Sequence, residues 1–160
     1  MSAPSRDQII SNLKRANQVA DRAVSLGHHP FGAILVAPDH QTVLLEQVNL
    51  NTVEHAESVL ARIAFNNYPS DFLWNCTLYT TVEPCAMCSG TQYWANIGRV
   101  VYGMSEVRLL ELTGSHSENP TMSLPCREVF EKSQKSIHVI GPVEELESEI
   151  AEKHLSFWKN

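Results

Sequence analysis

The sequence predicts an α/β fold in which a mixed sheet of five strands lies between helices. Three observations carry this. An apolar strand hairpin occupies 31–48, and strand and helix patterns alternate after it. The chain has 160 residues and no internal repeat, low-complexity segment or linker, which fits one domain over 1–160 with one core.

Ser5-Arg6-Asp7-Gln8 fits a capping box, with a side-chain acceptor at Ser5 and Gln three residues on. Ile9, Leu13, Ala16, Ala20 and Ala23 follow at helical spacing, and Gly27-His28-His29-Pro30 stops that helix. Phe31 to Ala37 is a continuous apolar run of buried-strand length. Pro38-Asp39-His40-Gln41 reads as a turn and Val43 to Val48 as the returning strand. A second helix runs from about Glu54 to Asn66, with Ala56, Val59, Leu60, Ile63 and Ala64 on its apolar side. Pro69-Ser70-Asp71 breaks it.

Cys76 to Val82 alternates and is rich in β-formers, so it reads as a strand. Pro84 suits the first turn of a helix from about Cys85 to Ala95. Arg99 to Gly103 is another strand, followed by a helical segment from Glu106 to Leu112. Thr113 to Pro125 reads as a loop of the length that often carries function. Arg127 to Lys135 looks helical, Ser136 to Ile140 is a short strand, and Glu144 to Lys159 is a final amphipathic helix.

Composition excludes several classes. Hydrophobic content of 43% and charged content of 19% are ordinary for a globular protein. No apolar run is long enough to span a bilayer. The run Met1 to Asp7 lacks the charged-then-apolar layout of a secretory signal, so a cytosolic protein is expected. Twelve basic against 18 acidic residues give a net charge of −6, and no Lys/Arg cluster occurs. A polynucleotide partner is therefore disfavoured.

The chemistry resides in two motifs, His55-Ala56-Glu57 and Cys85-Ala86-Met87-Cys88. His55, Cys85 and Cys88 offer three ligands of the kind zinc prefers. Three protein ligands leave the fourth tetrahedral position for water, as a catalytic site requires. Cys85 and Cys88 stand one helical turn apart at a helix start, where the positive end of the helix favours thiolates. His55 begins a different helix, and two helix starts meeting over one metal would place it at the sheet's edge. Glu57 is close enough to handle the protons of a metal-activated water. A thioredoxin-like redox pair has no use for His55 and Glu57. A closed structural zinc site needs a second ligand pair, which the sequence lacks. Cys76 and Cys126 read as buried fillers. The pair His28-His29 reads as turn residues.

Glu54-His55-Ala56-Glu57 and Thr80-Thr81-Val82-Glu83-Pro84-Cys85-Ala86-Met87-Cys88 resemble the zinc-dependent cytidine deaminase-like superfamily, with its H-x-E and P-C-x-x-C signature. The resemblance implies a three-layer α/β/α sandwich, one zinc ion on His55, Cys85 and Cys88, and proton shuttling by Glu57. Within the superfamily, Tyr93-Trp94-Ala95 looks most like bacterial guanine deaminases. That implies hydrolysis of a free nucleobase amine, guanine to xanthine first. Cytosine, an aminated triazine or the adenosine of a tRNA stand as alternatives. A zinc-stabilised interaction module without activity is the non-enzyme alternative.

Further roles follow from the resemblance. Asn49 is similar to the asparagine that hydrogen-bonds the base, and Ala56 and Phe31 belong to the same substrate-facing set. Phe31 also has a place in the core. Glu118 is the candidate for a second catalytic acid from the late loop, holding or relaying protons at the far edge of the substrate, a solvated charge being its other reading. Trp94 is either a pocket wall or core packing. Phe157-Trp158-Lys159-Asn160 resembles an aromatic tail that closes the active site, and core docking of the last helix explains it equally. Members of the superfamily are oligomeric, which implies a homodimer.

Overall fold

The computed structural model describes residues 2–114 and 116–159. Met1, Ser115 and Asn160, the last residue of the aromatic tail, lie outside the described residues. The elements in order are α1 (Arg6–Ser25), β1 (Gly32–Val36), β2 (Val43–Val48), α2 (Ala56–Asn67), α3 (Ser70–Trp74) and β3 (Thr77–Val82). They continue with α4 (Ala86–Ala95), β4 (Arg99–Met104), α5 (Glu106–Thr113), α6 (Cys126–Glu131), β5 (His138–Ile140) and α7 (Glu144–Phe157).

The five strands form one mixed sheet in the order β2-β1-β3-β4-β5. β1 is antiparallel to both β2 and β3, while β3, β4 and β5 run parallel. Helices cover both faces, as the resemblance implied. On one face Leu13, Ala16 and Val19 of α1, Leu109 of α5 and Leu146 and Ile150 of α7 pack on Ile34, Tyr79 and Val101. On the other, Leu60, Ala61 and Ala64 of α2, Leu73 of α3 and Phe130 of α6 pack on Leu35, Leu78 and Val100. The alternation of strand side chains between these two sets is the period-2 pattern of a sheet buried on both sides.

Local chemistry explains the starts and stops. The Ser5 capping box is formed, Gln8 N donating to Ser5 Oγ at 3.2 Å and Ser5 N to Gln8 Oε1 at 2.8 Å. Gly32 admits no side chain, because a Cβ there would run into the backbone of Ala16 and Ala20. This lets α1 lie directly on the first strand. Cys76 and Cys126 are fully buried free thiols, as read from the sequence.

The break at Pro69-Ser70-Asp71 falls where expected, α2 ending at Asn67, and Pro69 also serves as N-cap of the five-residue α3. One expectation is corrected. The helix expected over Arg127 to Lys135 starts at Cys126 and stops at Glu131. Beyond it, Ser133 Oγ donates to Phe130 O at 2.7 Å and Lys135 Nζ donates to Tyr93 O at 2.5 Å, fixing 132–135 as a turn. No helix among the described residues is long and apolar enough to cross a membrane.

Candidate active site

The antiparallel switch between β1 and β3 gathers the motif residues at one end of the sheet. β3 is the central strand, and its carboxyl end lies beside the start of β1 and the end of β4. The chain leaving β3 delivers Cys85 and Cys88. The chain entering β1 brings His29 and Phe31, the end of β2 brings Asn49, and the end of β4 brings Glu106. The metal-ligand residues therefore gather at the carboxyl end of the central strand.

His55 is the N-cap of α2 and Cys85 the N-cap of α4, and neither side chain makes a capping hydrogen bond. Both are left free to face a common point between two positive helix ends. Nδ1 of His55 lies 3.6 Å from Cys85 Sγ and 3.6 Å from Cys88 Sγ. Zinc bonds to sulfur and imidazole nitrogen at tetrahedral angles set that edge at about 3.6 Å. The donor set fits zinc in chemistry and in spacing. Nε2 of His55 is 2.9 Å from Thr52 O. That bond places the ring proton on Nε2 and leaves the Nδ1 lone pair for metal. Ser58 Oγ donates to Cys88 Sγ at 3.1 Å, a support that the sequence reading missed.

The charges around the triad are strongly coupled. Hydrogen bonds from Cys88 and then His55 pull the Cys85 thiol down to about 4. The hydrogen bond to Cys85 holds His55 up at about 9. Its hydrogen bond with Cys85, then burial, push Cys88 upward. Glu57 is buried, and desolvation followed by the nearby Cys85 charge pushes it up to about 7.

These groups open onto a cavity of about 300 Å³. His55, Cys85 and Glu57 form its floor, and Phe31, Val82, Met87, Leu109 and Met122 supply apolar walls. Asn49 lines it and is 2% exposed. Asn51 instead shapes the loop, its Oδ1 accepting from Val53 N at 2.9 Å and Glu54 N at 2.7 Å. Glu118 lines the outer rim with a side chain 65% exposed, 3.4 Å from His29 Nε2. Phe31 takes both of its expected places: it lines the cavity, and its ring packs 5.2 Å from that of His154.

Two expected residues lie elsewhere. Ala56, the first residue of α2, is fully buried in the core and is not among the residues that line the cavity. Trp94 is 76% exposed and lies outside the cavity wall. It shares a helical face with Met87 but stands two turns further along α4, about 10 Å away. Its ring meets Tyr93 edge-on at 5.1 Å, with Lys135 Nζ 5.9 Å from its centroid.

The structure adds residues that the sequence reading left unassigned. His29 lines the cavity and packs edge-on against Trp158 at 4.9 Å, so the aromatic end of α7 backs the site. Glu106, read only as a helix start, is 4% exposed and lines the cavity.

Residues 6–104 match the model of the cytidine and deoxycytidylate deaminase zinc-binding region. The chain belongs to this family of zinc-dependent deaminases. A probable cytosine deaminase of Schizosaccharomyces pombe is 33% identical over 153 residues, spanning 93% of this chain and 91% of the relative. A tRNA-specific adenosine deaminase of Haemophilus influenzae is 38% identical over 101 residues, spanning 60% of this chain and 58% of the relative. The guanine deaminase of Nitrosomonas europaea superposes with a TM-score of 0.68 at 17% identity, over 98% of this chain and 86% of that one, and shares its fold. The zinc ligands and Glu57 fall inside the matched region.

Proposed function

We propose that the cavity binds a free nucleobase and hydrolyses its exocyclic amine, guanine to xanthine being the conversion it fits best. The observation that carries this reading is the zinc-spaced triad with a buried carboxylate beside it, enclosed in a small cavity with apolar walls. Bound to His55, Cys85 and Cys88, zinc would lower the pKa of a water toward about 7.

The chain's own groups supply the remaining steps. Glu57 takes one proton from the attacking water and places it on the ring nitrogen beside the reacting carbon. It then carries the second to the departing amine, so that guanine and water give xanthine and ammonia. A buried carboxyl beside the triad and lining the cavity is placed to move protons between the water and the ring. The apolar walls clamp the flat ring, and Asn49 offers its amide to the edge. Glu118, expected as a second proton relay, stands at the exposed rim beside His29 and serves in this reading as a contact to the far edge of the ring.

Guanine is favoured because carboxyl groups from several elements line the cavity. Glu57, Glu106 and Glu118 all line the cavity, and guanine presents N–H donors on more than one edge. Cytosine is the second reading, supported by the fission-yeast relative that matches over nearly the whole chain. Against a tRNA substrate stand the net charge of −6 and the absence of Lys or Arg among the residues described as lining the cavity. Large apolar side chains exposed on α2 and α4, Phe65 and Trp94, support the homodimer as part of this reading.

Ammonia release from guanine, cytosine, adenine, ammeline and a tRNA anticodon stem-loop tests it on the zinc-loaded protein. Guanine is expected to give the highest kcat/KM. Cytosine leading would select the second reading. Release from the stem-loop alone, or from nothing, would sink both.

A further inference from the structure

Two glutamates leave adjacent parallel strands at the same end of the sheet, and the fold uses them differently. Glu83 follows β3, and both its oxygens are taken. Oε1 accepts Glu106 N at 3.0 Å and Oε2 accepts Cys126 N at 2.9 Å, so one carboxylate caps the starts of α5 and α6. Glu106 follows β4. It is 4% exposed and lines the cavity, and its Oε2 is buried without a hydrogen-bond partner among the described residues.

Burying a carboxylate oxygen without a donor is costly, and folded proteins rarely leave one so. The donor is not the metal, because the clustered metal-ligand atoms are those of His55, Cys85 and Cys88. Neighbouring backbone does not supply it either, since the N–H groups of Glu106 and Cys126 are spent on Glu83. The space open to Glu106 is the cavity itself.

The two acids come from opposite faces of the sheet. Glu57 enters from α2, in the layer with α4. Glu106 enters from α5, which packs through Leu109 in the opposite layer with α1 and α7. Glu57 and Glu106 thus reach the one cavity from different layers of the fold.

We propose that Glu106 is a substrate-contacting, specificity-determining carboxyl group that accepts a ring N–H of the bound base. This rests on the reading of the cavity as a base-binding site. It divides labour between two buried acids: Glu57 moves protons, and Glu106 selects rings that present a donor where an acceptor waits. The buried oxygen gains a hydrogen-bond donor when such a ring enters.

Glu106→Gln, with Glu111→Gln on the exposed side of the same helix as control, separates this role from a structural one. Zinc content, thermal midpoint and the kinetics of ammonia release from guanine and cytosine are measured for each. Glu106→Gln is expected to keep its zinc, to melt no lower than wild type, and to lose roughly 10- to 100-fold in kcat/KM, mainly through KM. Glu111→Gln is expected to match wild type. A kcat/KM within threefold of wild type overturns the proposal. So does a fall in the thermal midpoint beside the fall in activity, since that marks a structural role. If wild type releases ammonia from neither base, the proposed function has failed, and equilibrium dialysis of the same two bases decides the role of Glu106. Weaker binding to Glu106→Gln supports it, and equal binding, or none to either protein, overturns it.

Discussion

The inner and outer walls of the cavity are built in different ways. The inner wall consists of helix starts and strand ends: His55 and Glu57 at the head of α2, Cys85 and Cys88 at the head of α4, Glu106 at the head of α5. Its groups are buried or half-buried and held by the sheet. The outer wall consists of the loop carrying Glu118 to Met122, with His29 behind it. Glu118 there is 65% exposed, and its contact with His29 spans 3.4 Å. A rigid inner wall can hold charges away from their ordinary ionisation, as a proton carrier needs. A loop can change its contacts without disturbing the metal. The difference assigns the chemistry to the inner wall and the choice of ring largely to the outer wall, with Glu106 as the part of selection that is built in.

The comparison breaks most sharply at Glu57. Glu57→Gln is expected to lower kcat by about 10²- to 10⁴-fold or more while zinc stays bound, as metal analysis beside ammonia release will read. A near-normal rate would remove the proton carrier from the account.

Ser58→Ala comes next. It deletes the hydroxyl that donates to Cys88 Sγ, and zinc affinity should fall by about 10- to 100-fold in a competition titration against a chelator. Unchanged affinity would mean that the thiolate needs no such support.

On the outer wall, Glu118→Gln should act through KM by roughly 10-fold, the size of one exposed charged contact, with zinc and kcat kept. A collapse of kcat would move Glu118 into the proton-transfer machinery and erase the distinction between the walls.

The smallest effect concerns pH. Burial first, then the charges of Cys85, Glu83 and Glu57, push Glu106 up to about 8 in the folded protein, against an ordinary value of 4.5. Between those values the native state holds a proton that the unfolded chain has released. Rising pH therefore subtracts stability across that window. For chelator-treated protein, the thermal midpoint of Glu106→Gln relative to wild type should climb from pH 5 to pH 8. A constant difference would show that Glu106 ionises as freely in the fold as out of it.

What the sequence disclosed follows the same division. The element order was legible because apolar residues repeat with clear periods, as in Ile9, Leu13 and Ala16 or in Cys76 to Val82. The zinc ligands were legible because their side-chain chemistry has few other uses at that spacing. Glu106 was not, since an acid at a helix start is favourable on the helix dipole alone and signals nothing more. His29 was hidden by its neighbours, because His-His-Pro before a strand reads as a turn. Trp94 misled because its residue type suits a stacking wall, whereas its place two turns beyond Met87 carries it past the cavity. The five residues of α3 are too few to show a period.

Product analysis of guanine incubated with the zinc-loaded protein tests the central claim most directly. One xanthine and one ammonia should form for each guanine consumed, with turnover lost on chelation and restored by zinc. Guanine and cytosine both recovered intact, with His55, Cys85 and Cys88 holding zinc at one ion per chain, would contradict it.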